Sequence, residues 1–149
     1  MTNTKPDPRQ VLRSAKKILL VDWPDPVVPR SLLNAGFTVF GFSPGGYSVA
    51  EIVDAPAGSQ NGFPPRNANE KGYLLFTQID GSPKPVDIVN IYRPENEHAA
   101  IIENHVLPLT AKVVWLHPPL TSAGTRKMAA EKGLVFIEDV NIAELATAI

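Results

Sequence analysis

Apolar residues along this chain gather in short unbroken runs, and between the runs they recur at helical spacing. Residues 17–21 (KILLV) form one such run, as a strand buried on both faces of a parallel sheet requires. Residues 27–35 predict a short helix: Asp25 suits its N-cap, Pro26 its first position, and Gly36 the place just past its end. Pro29 limits this helix, because a proline beyond the first turn removes a donor and crowds the preceding carbonyl, so the helix is expected to begin around it. Residues 38–42 (TVFGF) predict a second strand. From 43 to 85 the texture changes, with GG, GSQNG, PPRNANEKG and GSPKP as turn signals. Two pieces interrupt them: 48–53, read as a helical turn or two, and 73–78 (YLLFTQ), read as an edge strand. Residues 86–91 (VDIVNI) resume the buried-strand pattern, and Pro94 and Glu95 open a helix that carries Ile101, Ile102 and Leu107 up to Pro108. Then follow a strand at 112–116 (KVVWL), a helix at 122–132 ended by Gly133, a strand at 134–137, and a closing helix at 142–148.

Strand and helix alternating with short connections predict a doubly wound α/β domain: a parallel sheet with helices on both faces, since each parallel crossover returns over a face. The expectation is one domain over 1–149 with a long, loop-rich insertion at about 44–85. Ligands of such sheets sit beyond the carboxyl ends of the strands, near the switch point of strand order. That rule selects Asp22 and Trp23, residues 43–46 with Ser43 and Pro44, residues 92–94 with Tyr92 and Arg93, and residues 117–121 with His117.

Composition narrows the partners. The 149 residues are 44% hydrophobic, enough for a single core, and 14 basic against 15 acidic residues give a net charge of −1. No global field draws the chain to nucleic acid or to an anionic membrane, so an anionic ligand needs a local site. The absence of cysteine removes disulfides, thiolate metal sites and cysteine nucleophiles. The polar start, MTNTKPDPRQ, has no signal-like apolar core behind it, and no window approaches a membrane span, so a cytoplasmic home is the expectation.

Two stretches carry a resemblance: VDIVNIYRPE (86–95), and residues 111–142, in which Trp115, Leu116, Gly133, Leu134 and Asp139 stand at matching places. In these the chain resembles the small CoA-binding proteins, whose Rossmann-like domain also forms the CoA-binding part of succinyl-CoA synthetase. The resemblance implies a Rossmann-like fold and CoA as ligand, its phosphates held by a longer Gly-x-Ser loop after the first strand. Here only Asp22 and Trp23 separate that strand from Pro24. The family's Asn-Pro after the second strand is Ser43-Pro44, its Gln is His117, a usual glycine is Pro119, and a frequent Cys is Asn141.

These departures act against phosphate binding. Phosphates are held by backbone N–H groups at a helix N-terminus, where glycine permits close approach. Prolines 24, 26 and 29 delete donors there, and Asp22 adds a carboxylate that repels a pyrophosphate by roughly 1 to 4 kcal/mol. CoA binding is therefore expected to be weak or lost.

Single residues carry open alternatives. Asp22 is a capping or solvated carboxylate, or a group contacting a ligand hydroxyl or amine. Trp23 and Tyr92 are core-edge packing or platforms for adenine. Arg93 is the remaining anion contact, or a salt-bridge partner of Glu95 or Glu97. His98 and His105, seven apart on one expected helix and hence on a common face, lack a third ligand for zinc. No G-x-S-x-G turn is present to supply a nucleophilic serine near His117. The leading reading is a non-catalytic CoA- or nucleotide-binding-type domain with Asp22, Trp23, Ser43, Pro44, Tyr92, Arg93 and His117 around its crevice. The alternatives are a protein-interaction or regulatory module, acting as a homodimer or through the middle segment, and a small enzyme using the same crevice.

Overall fold

The structure is a computed structural model that describes residues 6–43, 45–54 and 62–149. Seven strands form one sheet in the order β4-β3-β2-β1-β5-β6-β7. Strands β1 (Lys17–Val21), β2 (Thr38–Ser43), β5 (Ile88–Ile91), β6 (Val113–Leu116) and β7 (Val135–Ile137) are mutually parallel. Strands β3 (Gly46–Val53) and β4 (Tyr73–Gln78) extend the sheet antiparallel, so it is mostly rather than wholly parallel.

The unbroken aliphatic runs have the cause anticipated for them. Along β1, Ile18 and Leu20 face one hydrophobic core while Leu19 and Val21 face the other. Helices α1 (Pro8–Arg13), α2 (Val27–Asn34) and α5 (Ile142–Ala148) cover the first face, contributing Leu12, Leu32, Ile142 and Ala146 to a core around Trp115. The second face is covered by α3 (His98–Ile101), its flanking turns, and α4 (Ala123–Glu131), through Ile101, Ile102, Val106 and Met128. Among the described residues no helix is long and apolar enough to cross a membrane.

Three expectations are corrected. Residues 48–53 are strand, not helix: the chain reverses after β2 and pairs Phe42 with Tyr47 and Phe40 with Val49. Side chains then alternate between the cores, Tyr47 and Val49 to one and Ala50 and Ile52 to the other, so cross-strand packing overrides the helical leaning of Ala50 and Glu51. Pro29 does not delay α2. It occupies the third helical position, where its missing donor has no intrahelical partner to lose; the N-cap is Pro26 rather than Asp25, and Asp25, one residue further out, still accepts the Val27 N–H through Oδ1 (2.8 Å). His98 and His105 do not share a face, because α3 passes into a π-helical turn at Ile102–Val106 whose wider hydrogen bonding rotates the later residues. His98 is buried against α4, whereas the ring of His105 lies 4.1 Å from Phe42 and its Nδ1 shares a hydrogen bond with the Tyr47 hydroxyl (2.6 Å). Helix α1 is an element that the pattern reading passed over, although Asp7 capping Arg9 N–H and Pro8 at its start are visible signals.

Residues 63–72, ahead of β4, are tied down by Arg30 of α2, which is buried at 4% exposure. Its Nη2 donates to the carbonyls of Phe63 (2.7 Å) and Gly72 (3.1 Å), and Nε lies 3.5 Å from Glu70. Gly72 permits this, with φ +80° and no room for a Cβ, which would meet the Val53 carbonyl at 2.7 Å.

Candidate functional site

From β1 the chain moves outward to β2 on one side, whereas β5, β6 and β7 build outward on the other. The switch point therefore lies between the carboxyl ends of β1 and β5, which places Asp22, Trp23, Tyr92 and Arg93 together as anticipated. The pairing runs one step past the strands, with Tyr92 N–H donating to Val21 O (3.0 Å).

Asp22 turns the chain with φ +69°, a left-handed conformation that glycine adopts freely and aspartate tolerates. Each oxygen of its carboxylate holds one partner, Oδ1 accepting the Trp23 N–H (2.8 Å) and Oδ2 accepting Arg93 Nη1 (3.1 Å). The donors at the start of α2 are accounted for in the same way. Val27 N–H is taken by the Asp25 side chain and Val28 N–H by the Asp25 carbonyl, while Pro24, Pro26 and Pro29 have none. At most the Asp25 N–H is left for an incoming anion.

Arg93 takes the salt-bridge alternative, with Glu97 of the two glutamates named for it and with Asp22, while Glu95 turns elsewhere. Nε and Nη2 fork onto Glu97 (2.9 and 2.7 Å) while Nη1 holds Asp22. Hydrogen bonds donated to Glu97 and then to Asp22 raise the guanidinium's pKa further, and Arg93 in turn holds the Glu97 carboxyl below its usual range. All of this is solvent-facing, with Arg93 41% and Asp22 46% exposed.

The remaining candidates split. Trp23 already has a partner, stacked on Phe76 at 4.7 Å and 19°, and Gly41 makes room, since a Cβ there would lie 3.2 Å from the indole. Ser43 is exposed at the end of β2, opposite Gly46; Pro44 lies outside the described residues. Tyr92 meets His117 edge to face at 5.7 Å. His117 is 2% exposed, and its Nδ1 is 3.4 Å from the amide nitrogen of Asn90, a fully buried residue of β5. Burial lowers the His117 pKa, against smaller opposing pulls from Asp25 and Glu144.

The sequence profile of the CoA binding domain matches residues 27–143. The chain belongs to this CoA-binding domain family. The match begins at Val27, just past the Asp22–Pro26 turn. Among solved structures, cell-free ID.343 from Thermus thermophilus superimposes with TM-score 0.63 at 21% identity, over 94% of both chains. A hypothetical protein from Pyrococcus horikoshii OT3 gives TM-score 0.63 at 21% identity, over 97% of this chain and 96% of its own. A conserved hypothetical protein from Pyrococcus furiosus gives 0.51 at 18%, over 87% and 97%. These likenesses concern the fold. No curated protein matches the chain significantly.

A second helix start faces the crevice, and the sequence reading missed the residues that fill it. Ser122 caps α4, its Oγ accepting the Thr125 N–H (3.0 Å) and donating to the Glu95 carboxylate. Ser122 N–H donates to Glu138 Oε1 (3.1 Å), and Glu138 also pairs with Arg126. His98 Nε2–H donates to the Arg93 carbonyl and Nδ1 shares a hydrogen bond with Thr125 Oγ1, both at 2.8 Å. In this member of the CoA-binding domain family, both helix starts are thus met by the protein's own carboxylates. A CoA pyrophosphate does not fit the first of them as it is built, because it would have to displace Asp22 from Trp23 and from Arg93. Among the described residues no group of three or more His, Asp or Glu is arranged to hold a metal ion.

Proposed function

We propose that this protein is a non-catalytic member of the CoA-binding domain family whose phosphate-binding turn is closed by its own side chains, so that it takes CoA weakly or not at all. One observation carries the reading: the Asp22 carboxylate occupies both the backbone donor and the arginine that an anion at the switch point would need. An entering pyrophosphate meets a paired guanidinium, an occupied helix start and three prolines, and each contact it makes there, apart from one to the Asp25 N–H, must replace one already made. Asp22, Trp23, Tyr92, Arg93 and His117 still line the crevice, but as a self-satisfied set.

Calorimetric titration of CoA tests this directly. The expected affinity lies in the high micromolar range or weaker, about −5 kcal/mol or less favourable. Asp22→Asn removes the repelling charge while keeping the side chain's size, and it should tighten CoA measurably with little change in stability. A low-micromolar affinity in the unmodified protein would overturn the proposal.

A further inference from the structure

Strand β7 ends the sheet, and its outer edge pairs with nothing among the described residues. Val135 N–H donates inward to Lys112 O (2.8 Å), so the next residue, Phe136, turns its N–H and C=O away from β6. On either side of it the Leu134 carbonyl and the Glu138 N–H also have no hydrogen-bond partner among the described residues. The run from Leu134 to Ile137 is apolar, without the lysine, proline or bulge that blunts an exposed edge. A groove of about 630 Å³ runs beside it, walled by Pro6 and Pro8 on one side and by Arg126 and Ala130 of α4 on the other. The opposite edge of the sheet differs: at β4, Phe63 exchanges both backbone hydrogen bonds with Leu74 (2.8 and 2.9 Å) and covers it.

We propose that a second copy of this chain pairs with the β7 edge, antiparallel and about a two-fold axis at Phe136, so that the two sheets join. The edge is its own complement. It presents an acceptor at Leu134, a donor and an acceptor at Phe136, and a donor at Glu138, an order that matches itself when reversed. The two Phe136 residues then exchange both bonds, and each Leu134 carbonyl takes the partner's Glu138 N–H. Charge matches in the same register. Leu134, Phe136 and Glu138 share the α4 face, the first two packed on its core and the third bonded to Ser122 and Arg126. Arg126 is 53% exposed and stands 5.6 Å over the Phe136 ring, so the diagonal neighbour across the axis, the partner's Glu138, brings it a second carboxylate. Ala130, exposed and one turn further along α4, is small enough to let the two α4 helices approach. A foreign strand would need to present this order of groups independently, whereas a copy carries it by symmetry. The association does not depend on whether CoA binds at the Asp22 turn.

Sedimentation velocity of the full chain at rising concentration, combined with amide hydrogen exchange followed by NMR, tests the pairing. The sedimentation coefficient should climb toward that of a dimer, and exchange at the Phe136 N–H should slow in step with it. Phe136→Pro removes the outward donor but spares the bonds of Val135 and Ile137 to β6, and it should abolish association. Because that change also takes a ring from the edge of the core, Ala130→Glu repeats the test from the exposed surface of α4. It sets a like charge near Glu138 across the axis and should weaken association about tenfold or more. Ala99→Glu, exposed on α3 and outside the groove, should leave association unchanged. A chain that stays monomeric, even one whose Phe136 N–H is then protected by an unrelated extended peptide, would overturn the proposal. So would slow exchange at Phe136 that ignores concentration, a dimer that leaves Phe136 unprotected, or equal association in Ala130→Glu and Ala99→Glu.

Discussion

Two arginines, Arg30 and Arg93, show what burial does to the same side chain. Arg30 lies under residues 63–72 and gives two hydrogen bonds to backbone carbonyls. Arg93 stands in the crevice with three hydrogen bonds, all to carboxylates that water solvates on their open side. The first arrangement has no substitute when its donor is removed, while the second can exchange each bond for one with water. Density of contacts alone does not separate structure from site; solvent access does.

The largest effect should come from breaking the buried arrangement. Arg30→Met keeps most of the stem but strands the Phe63 and Gly72 carbonyls and leaves Glu70 without its buried neighbour. Urea denaturation should show a loss of roughly 3 kcal/mol. Arg93→Met, measured alongside, should leave the unfolding midpoint near that of the parent protein, because exposed ion pairs contribute little. Equal losses in the two variants would erase the comparison.

An intermediate effect sharpens it at the crevice. Asp22→Gly relieves a left-handed aspartate, roughly 1 kcal/mol in the protein's favour, and gives up the Trp23 and Arg93 contacts, so the net change should stay within about 1 kcal/mol. The same substitution frees the Trp23 N–H and Arg93 Nη1 for an anion, while Glu97 keeps the rest of the guanidinium. Titration with inorganic pyrophosphate should therefore detect binding that is stronger than in the parent protein. No gain would mean that the prolines, rather than Asp22, close the turn.

Much of the fold was legible because local chemistry and tertiary demand agree. The KILLV run, the Asp25 bond to the Val27 N–H and the glycine stop at Gly36, whose φ is +99°, each report the element they belong to. Strand β3 was not legible, since residues 48–53 take their state from pairing with β2 and β4 rather than from their own preference. That Asp22, Trp23, Tyr92 and Arg93 follow neighbouring strand ends, and so form a candidate site, was legible from the switch-point rule. Its wiring was not, because Arg93 with Asp22 and Glu95 with Ser122 join residues far apart in sequence. Arg30 gave no signal, as one arginine among helix residues looks like any solvated cation. Asn90 did give one: it is a polar residue inside the run VDIVNI, which was read only as a buried strand.

The smallest effect tests whether the crevice histidine belongs with the buried or the exposed class. Burial holds the pKa of His117 below its ordinary value of 6.5, and it does the same to His105 beside Phe42. In the unfolded chain both titrate at that ordinary value, so between the native and unfolded pKa values the unfolded state binds more protons. Stability should then be fully present above the unfolded value, fall as pH drops through 6.5, and level off below the native values. Glu70 and Glu97 are held below their ordinary 4.5, so their contributions are lost only at lower pH and do not enter this window. Urea unfolding at about pH 7.5 and about pH 5.5 should differ by less than about 1 kcal/mol from these histidines, the less stable condition being the acidic one. His117→Gln should remove its share of that slope, and His105→Phe the rest. If His117→Gln leaves the slope unchanged, the ring is open to water in solution and belongs with Arg93 on the exposed side of the comparison.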